Sequence, residues 1–324
     1  MRIVITGGTG FLGARLARKL LERKSLVDSA GKTRPLRRLV LLDVIAAAVT
    51  DPRVTAVAGD LADPAVIEGV VTPDTDSIFH LAAVVSGQAE AEFDTGMRVN
   101  VDATRALLER CRRLDKPPKF VFTSSLAVFG GKLPDPVPDD AALMPQTSYG
   151  TQKAIGELLV YDMTRKGFID GRSLRLPTVT VRPGKPNKAA SSFASGVIRE
   201  PLSGVDAVCP VAPDTQLWVT SPRQVVDNLI VGHDVAASKF GQTRSVNVPG
   251  LRVSVAAMVD ALRRVAGDAV AARVKWQIDP VIGKIVQTWP PNFAPRLGPA
   301  LGMAADTNFE DIVRAYMADD IPRA

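Results

Sequence analysis

The chain has 324 residues, 46% of them apolar, with 40 basic against 34 acidic side chains for a net charge of +6. That apolar share builds a large core and excludes global disorder. The positive excess forms no block of like charge, which speaks against a nucleic-acid tail, and the apolar run LVLLDVIAAAV is interrupted by Asp43 and too short to cross a bilayer.

RIVIT, residues 2–6, is a β-branched run, and a strand starting at Arg2 leaves no room for a signal peptide. After it come TGGTGFLG (6–13) and then Leu12, Leu16 and Leu20 at helical spacing. The polar stretch 27–38 reads as a surface loop that lengthens the first crossover. RLVLLD (38–43), VTAVAGD (54–60), SIFHLAA (77–83), KFVFTSS (119–125) and LPTVTV (176–181) read as further strands. Helices are predicted over 101–114 and 149–165. Near-continuous apolar strands alternating with amphipathic helices specify an α/β fold, a doubly wound parallel sheet of Rossmann type. Beyond residue 185 prolines recur and strands shorten. A helix is expected at 254–266, and VNVPG (246–250) reads as a strand returning to the main sheet.

Gly7, Gly10 and Gly13 are spaced three apart between a strand and a helix. The first permits a tight turn, the second lets a pyrophosphate approach the backbone, and the third lets helix and strand pack closely. The helix N-terminus offers free N–H groups to phosphate. Asp43 ends the second strand, where a carboxylate can accept both ribose hydroxyls of an adenosine; the competing reading is a plain helix cap. Val44, Ile45 and Ala46 follow it, so a 2′-phosphate finds no basic partner and NAD is expected over NADP. Asp60 and Leu61 are expected to flank the adenine. The expected division is residues 1–184 as an NAD-binding domain, with 216–250 partly returning to it, and 185–324 as a smaller, mainly substrate-binding lobe.

TSYGTQK (147–153) places Tyr149 and Lys153 four apart, on one helix face, downstream of a strand ending in Ser124 and Ser125. Two cysteines, Cys111 and Cys209, and two histidines, His80 and His233, offer no metal-ligand spacing, no disulfide framework and few ways to build a Ser-His-Asp triad. A reducing, cytoplasmic setting without a metal is the simplest expectation. His80 reads as a packing residue at a strand end.

TGGTGFLG, Asp43, the turn Gly59–Asp60–Leu61, HLAA (80–83), Asn100, FTSSLAVFG (122–130) and YGTQK (149–153) stand in one order. In that order the chain resembles the extended short-chain dehydrogenases/reductases, most strongly up to about residue 184. The resemblance implies that Tyr149 is the general acid/base. Lys153 then binds the nicotinamide ribose and tunes Tyr149, and Ser125 hydrogen-bonds the reacting oxygen. It places Phe11, Leu12, Leu81, Ala82, Ala83 and Asn100 around NAD, with Pro177, Thr178 and Val179 beside the nicotinamide. A free tyrosine titrates near 10, so neutral-pH chemistry needs a drop of roughly three units, about 4 kcal/mol.

Two departures bear on the reaction. Phe129 stands where many members have tyrosine. Leu126 and Ala127 follow Ser125 where sugar dehydratases place an Asp-Glu pair, so elimination of water is disfavoured. RPGKPNKAASSF (182–193), REPL (199–202) and WVTSPRQVV (218–226) resemble a branch that oxidises a four-carbon sugar acid at C2.

Such a substrate needs a cation for its carboxylate and polar groups for its hydroxyls. Arg199 and Arg223 are the candidates for the first. Ser86, Asn187, Ser191 and Thr220 are candidates for the second, and Thr178 and Trp218 for the pocket wall. Each arginine reads equally as a surface ion-pair partner, Trp218 equally as core, and Lys185 and Lys188 stay open. A nucleotide-sugar 4-epimerase and a non-catalytic NAD sensor remain as alternatives. The resemblance also implies a homodimer packed through the helices at 101–114 and 149–165.

Overall fold

The computed structural model describes residues 1–184 and 191–321. Seven parallel strands form the central sheet: β1 (Arg2–Thr6), β2 (Arg38–Asp43), β3 (Val54–Ala58), β4 (Thr75–His80), β5 (Lys119–Ser125), β6 (Asp170–Leu176) and β7 (Ser245–Asn247). Their order across the sheet is β3-β2-β1-β4-β5-β6-β7. The direction of winding reverses between β1 and β4, and a crevice opens at the carboxyl ends of strands at such a point.

Alternate side chains sort to two cores. Ile3, Ile5, Leu39, Leu41, Phe79 and Val121 face α1 (Phe11–Arg23), burying Leu16 and Leu20. Val4, Val40, Leu42, Ile78, Phe120 and Phe122 face the other way, against Leu107 and Leu108 of α2 (Ala103–Arg112) and Val160 of α3 (Ser148–Arg165). Burial on both faces is why these strands read as unbroken apolar runs. A further core joins Val181 to Ala194, Val197 and Ile198 of α4 (Ser192–Leu202), with Leu217, Val219, Met258, Leu262 and Val313. The helix α5 (Pro222–Asp234) packs Val225, Leu229 and Ile230 under the main sheet.

Several expected boundaries move. The sixth strand is DGRSLRL, not LPTVTV. From the latter Leu176 closes the sixth strand, and Thr178–Val179 pairs instead with Val219 and Thr220 in a separate three-stranded sheet. Charges disguise β6: Arg172 and Arg175 are buried in it, paired with Asp170 and Glu157 respectively. The 27–38 segment is not a plain loop, because Ser25–Val27 and Thr33–Pro35 pair as an antiparallel hairpin. β4 ends at His80 and β3 at Ala58. A π-helical turn, Met97–Asp102, feeds α2. The helix Val255–Ala266, capped by Ser254, and β7 lie where the pattern places them. No helix among the described residues is long and apolar enough to cross a membrane.

Both histidines are fully buried. His80 is held between Thr6 (2.6 Å) and Thr104 (2.8 Å), and His233 between Ser77 (2.9 Å) and Asp234 (2.8 Å). Burial pushes them down to about 3 and about 4. The folded protein therefore keeps them neutral while the unfolded chain protonates them below about 6.5, so stability falls as pH drops through that window. The loss by pH 4 is up to about 3 kcal/mol for each histidine. Denaturant midpoints at pH 7 and pH 4 check this, and His80→Gln should flatten the slope. Equal pH dependence in wild type and variant would contradict it.

Candidate active site

The turn after β1 is built around its glycines. Gly7 has φ +68°, and a β-carbon there would lie 2.8 Å from the Ala82 nitrogen. One on Gly13 would lie 2.0 Å from the Gly7 carbonyl oxygen, so only glycine lets α1 seat this close. Gly8 is equally constrained, 2.8 Å from the Leu41 Cα, which the three-residue spacing does not reveal. No side chain caps α1, whose first intrahelical bond runs from the Ala14 N–H to the Gly10 carbonyl at 2.8 Å. The N–H groups of Phe11, Leu12 and Gly13 precede that bond, at the positive end of the helix. This is a cradle that fits a dinucleotide's pyrophosphate.

Asp43 stands at the rim. One oxygen accepts from the Thr9 and Gly10 N–H groups, each at 3.1 Å, and the other from the Val44 N–H at 2.8 Å. It thus organises the glycine turn while remaining partly exposed. Asp60 accepts from Ala62 (2.9 Å) and pairs with Arg98 (2.6 Å). The Leu61 side chain is core, which leaves only its backbone for a ligand. Buried Asn100 accepts from the Val84 N–H at 2.8 Å and donates to the Val84 carbonyl (3.0 Å) and Gln152 (2.7 Å). It clamps the segment of Leu81, Ala82 and Ala83 to α3.

α3 begins at Thr147, whose hydroxyl accepts from the Gly150 N–H at 3.1 Å. Two glycines let it press onto β5. A β-carbon on Gly150 would sit 2.2 Å from the Ala127 carbonyl oxygen, and one on Gly156 2.6 Å from the Phe122 ring. This contact brings Tyr149 to Ser125, whose hydroxyl acts to lower the phenol's pKa. The Ser125 hydroxyl also accepts from the Ala127 N–H at 3.1 Å.

One turn on, buried Lys153 donates to the Thr123 carbonyl at 2.9 Å and lies 4.7 Å over the Phe122 ring and 5.7 Å over Tyr149. A further turn brings Glu157, which accepts from Ser124 at 2.5 Å and from Arg175 at 2.7 Å. Arg175 continues to Asn247 of β7 at 3.2 Å.

Burial pushes the Tyr149 phenol up to about 12, with the Ser125 hydrogen bond and the Arg182 charge pulling against it. Burial pulls Lys153 down to about 7, with Glu157 opposing. The lowered phenol that neutral-pH chemistry needs, expected of Lys153 and the oxidised nicotinamide jointly, is not a property of the protein alone: desolvation outweighs the Ser125 hydroxyl and the Arg182 cation.

The expected carboxylate partners are already occupied. Arg223 is half exposed and holds Asp319 at 2.8 and 2.5 Å. Arg199 is buried and gives one nitrogen to Glu200 at 2.6 Å and another to the Arg182 carbonyl at 2.9 Å. Residue type alone shows neither acid. Thr220 is fully buried, its hydroxyl directed at Asp306 at 3.3 Å. Trp218 packs on Phe293 with ring centroids 5.7 Å apart, and its buried indole N–H has no partner among the described residues.

Ser86 opens the short helix Ser86–Ala91, Pro177 is buried, and Thr178 and Val179 join the three-stranded sheet. The Ser191 hydroxyl accepts from Arg182 at 3.2 Å. Asn187, Lys185 and Lys188 lie outside the described residues.

Residues 3–218 match the model of the NAD dependent epimerase/dehydratase family. The chain is 58% identical over 320 residues to D-erythronate dehydrogenase of Cupriavidus necator, covering 98% of each protein. It is 44% identical to D-erythronate dehydrogenase of Haemophilus influenzae, covering 99% of this chain and 100% of that one. A solved structure, described as the nucleoside-diphosphate-sugar epimerase from Agrobacterium tumefaciens, is 41% identical and superposes with a TM-score of 0.92 over 98% of this chain and 94% of that chain. With a seven-stranded parallel sheet, a glycine cradle at its switch point and these matches, the chain belongs to the NAD-dependent epimerase/dehydratase family, the extended short-chain dehydrogenases/reductases.

Proposed function

We propose that this protein oxidises a small sugar acid at C2 with NAD, converting D-erythronate to 2-dehydro-D-erythronate. The observation that carries the chemistry is the Tyr149 phenol set against Ser125, with the Lys153 side chain one helical turn on and 5.7 Å from the phenol ring. The names of the two similar full-length relatives support the substrate.

In this reading Ser125 and Tyr149 hold the C2 hydroxyl, and Tyr149 in its phenolate form takes that hydroxyl's proton and becomes the neutral phenol. Lys153, pulled down to about 7 and so charged only in part near neutral pH, lies 5.7 Å from the phenol ring and is itself anchored on the Thr123 carbonyl, so its position does not depend on the substrate. When bound, NAD supplies the hydride acceptor. The turn of Gly7, Gly10 and Gly13 with Phe11 and Leu12 would hold its pyrophosphate, and Asp43 its adenosine ribose. Asp60 and Leu61 would border the adenine. Leu81, Ala82, Ala83, Asn100, Lys153, Pro177 and Val179 would hold the nicotinamide half. Ser86, Thr178, Ser191 and Trp218 stay as candidates for the substrate wall.

The division into a cofactor domain (1–184) and a smaller substrate lobe (185–324) accords with the separate apolar core around Val197, Leu217 and Met258. A homodimer through α2 and α3 is supported by exposed Leu158 and Tyr161 on α3.

A panel of four- to six-carbon aldonates with NAD, followed by NADH absorbance, tests the function, with D-erythronate expected to give the highest kcat/KM. The description of the Agrobacterium structure favours a second reading, a nucleotide-sugar epimerase. That reading expects interconversion of UDP-sugars with no net NADH and no aldonate oxidation.

A further inference from the structure

Oxidation at C2 of a sugar acid puts the substrate's carboxylate on the carbon next to the reacting one. The cation that receives it must therefore lie beside the Tyr149 phenol. Arg182 is the candidate. β6 ends at Leu176, which pairs in register with Ser125, and the segment running on from it through Thr178 and Val179 carries Arg182. Its guanidinium and the Tyr149 phenol act on each other electrostatically.

The surroundings of Arg182 suit an anion that is not part of the protein. Its side chain is held by the Ser191 hydroxyl at 3.2 Å and the Ser191 carbonyl at 3.4 Å. Its backbone is fixed at both ends: its N–H donates to the Ser195 hydroxyl at 3.0 Å, and its carbonyl accepts from Arg199 at 2.9 Å. Among the described residues, no carboxylate lies within ion-pair distance of the guanidinium, and its charged neighbour is Arg199. Burial and that like charge both lower its pKa, with Tyr149 opposing. A largely desolvated cation next to a second cation is costly, and a bidentate carboxylate relieves the cost. Arg199 has its own acid in Glu200, which frees it to position Arg182 rather than to bind ligand.

We propose that Arg182 is the carboxylate anchor of the substrate site, gripping the C1 carboxylate while Ser125 and Tyr149 hold the C2 hydroxyl. The inference rests on the sugar-acid dehydrogenase reading above. It replaces Arg199 and Arg223 in the role first expected of them. It also gives the site a way to reject neutral sugars, whose reacting carbon has no anion beside it and leaves the guanidinium unpaired.

The test is a kinetic comparison of D-erythronate with its uncharged amide, in wild type, Arg182→Gln and Arg182→Lys, with NAD affinity measured in each. Arg182→Gln should lower kcat/KM for the acid about 100-fold, mostly through KM, and leave the amide within about threefold. Arg182→Lys keeps the charge but loses the fork, so about tenfold on the acid is expected. NAD affinity should be unchanged in both.

An equal loss on acid and amide would assign Arg182 a structural role and overturn the proposal, as would wild-type-like kinetics in Arg182→Gln. If Arg182→Gln loses NAD binding, the acid-to-amide ratio of Arg182→Lys decides: a ratio equal to wild type overturns the anchor, and a ratio lowered about tenfold supports it. Wild type turning over no aldonate overturns the dehydrogenase reading and the anchor together, whereas turnover indifferent to Arg182 overturns the anchor alone.

Discussion

Tyr149→Phe is expected to lower kcat by about 10³-fold, at the centre of the range for removing a positioned general acid/base. NAD affinity should stay within about twofold, because the glycine cradle and the Lys153 anchor do not involve the phenol oxygen. The fold should tolerate the change: the ring stays, and Ser125 keeps the Ala127 N–H as a partner at 3.1 Å. Loss of one hydrogen bond costs about 1 kcal/mol. The burial that raises the phenol to about 12 sets the accompanying pH expectation. Activity should climb with pH as the phenolate fraction grows, and cations near Tyr149 should decide where the climb begins. Steady-state kinetics and a cofactor titration check all of this; near-normal turnover in Tyr149→Phe would remove Tyr149 from the chemistry.

Gly150→Ala should do comparable damage by a different route. A β-carbon at 2.2 Å from the Ala127 carbonyl oxygen cannot be accommodated without lifting the first turn of α3 off the segment after Ser125. Overpacking of this kind costs about 1–3 kcal/mol. The displacement also separates Tyr149 from Ser125, and about 1 Å of misplacement is enough for roughly 100-fold in rate. Gly69→Ala is the control. It lies in the helix Pro64–Val70 with open space at its β-position, so alanine there should be neutral or stabilising by up to about 1 kcal/mol. Denaturant midpoints and kcat for the two variants separate steric loss at the site from any general effect of replacing a helical glycine.

Features that follow from local spacing were legible in the sequence. The three glycines between strand and helix, the Tyr149/Lys153 pair on one helix face, and the apolar strands of a doubly buried sheet all rest on short-range periodicity. What was not legible depends on partners that short-range periodicity does not pair. β6 was hidden because Arg172 and Arg175 look unfit for a central strand until Asp170 and Glu157 are seen to pair with them. Gly150 and Gly156 look like weak points in a helix, yet their lack of a side chain is what admits the Ala127 carbonyl and the Phe122 ring.

Arg199 and Arg223 were reasonable carboxylate candidates by type alone. Their acids, Glu200 and Asp319, come from local and distant neighbours that composition does not pair. Glu157, in contrast, could have been found: it lies one helical turn beyond Lys153, at the same spacing that singled out Tyr149.

The central claim is that hydride leaves C2 of a small sugar acid while Tyr149 takes the hydroxyl proton. The most direct measurement is NADH formation from D-erythronate and from the same acid deuterated at C2, with wild-type protein and NAD. The account predicts NADH from both, a lower kcat/KM for the deuterated acid, and 2-dehydro-D-erythronate in an amount equal to the NADH. No NADH from D-erythronate, alongside interconversion of UDP-sugars by the same preparation, would contradict it.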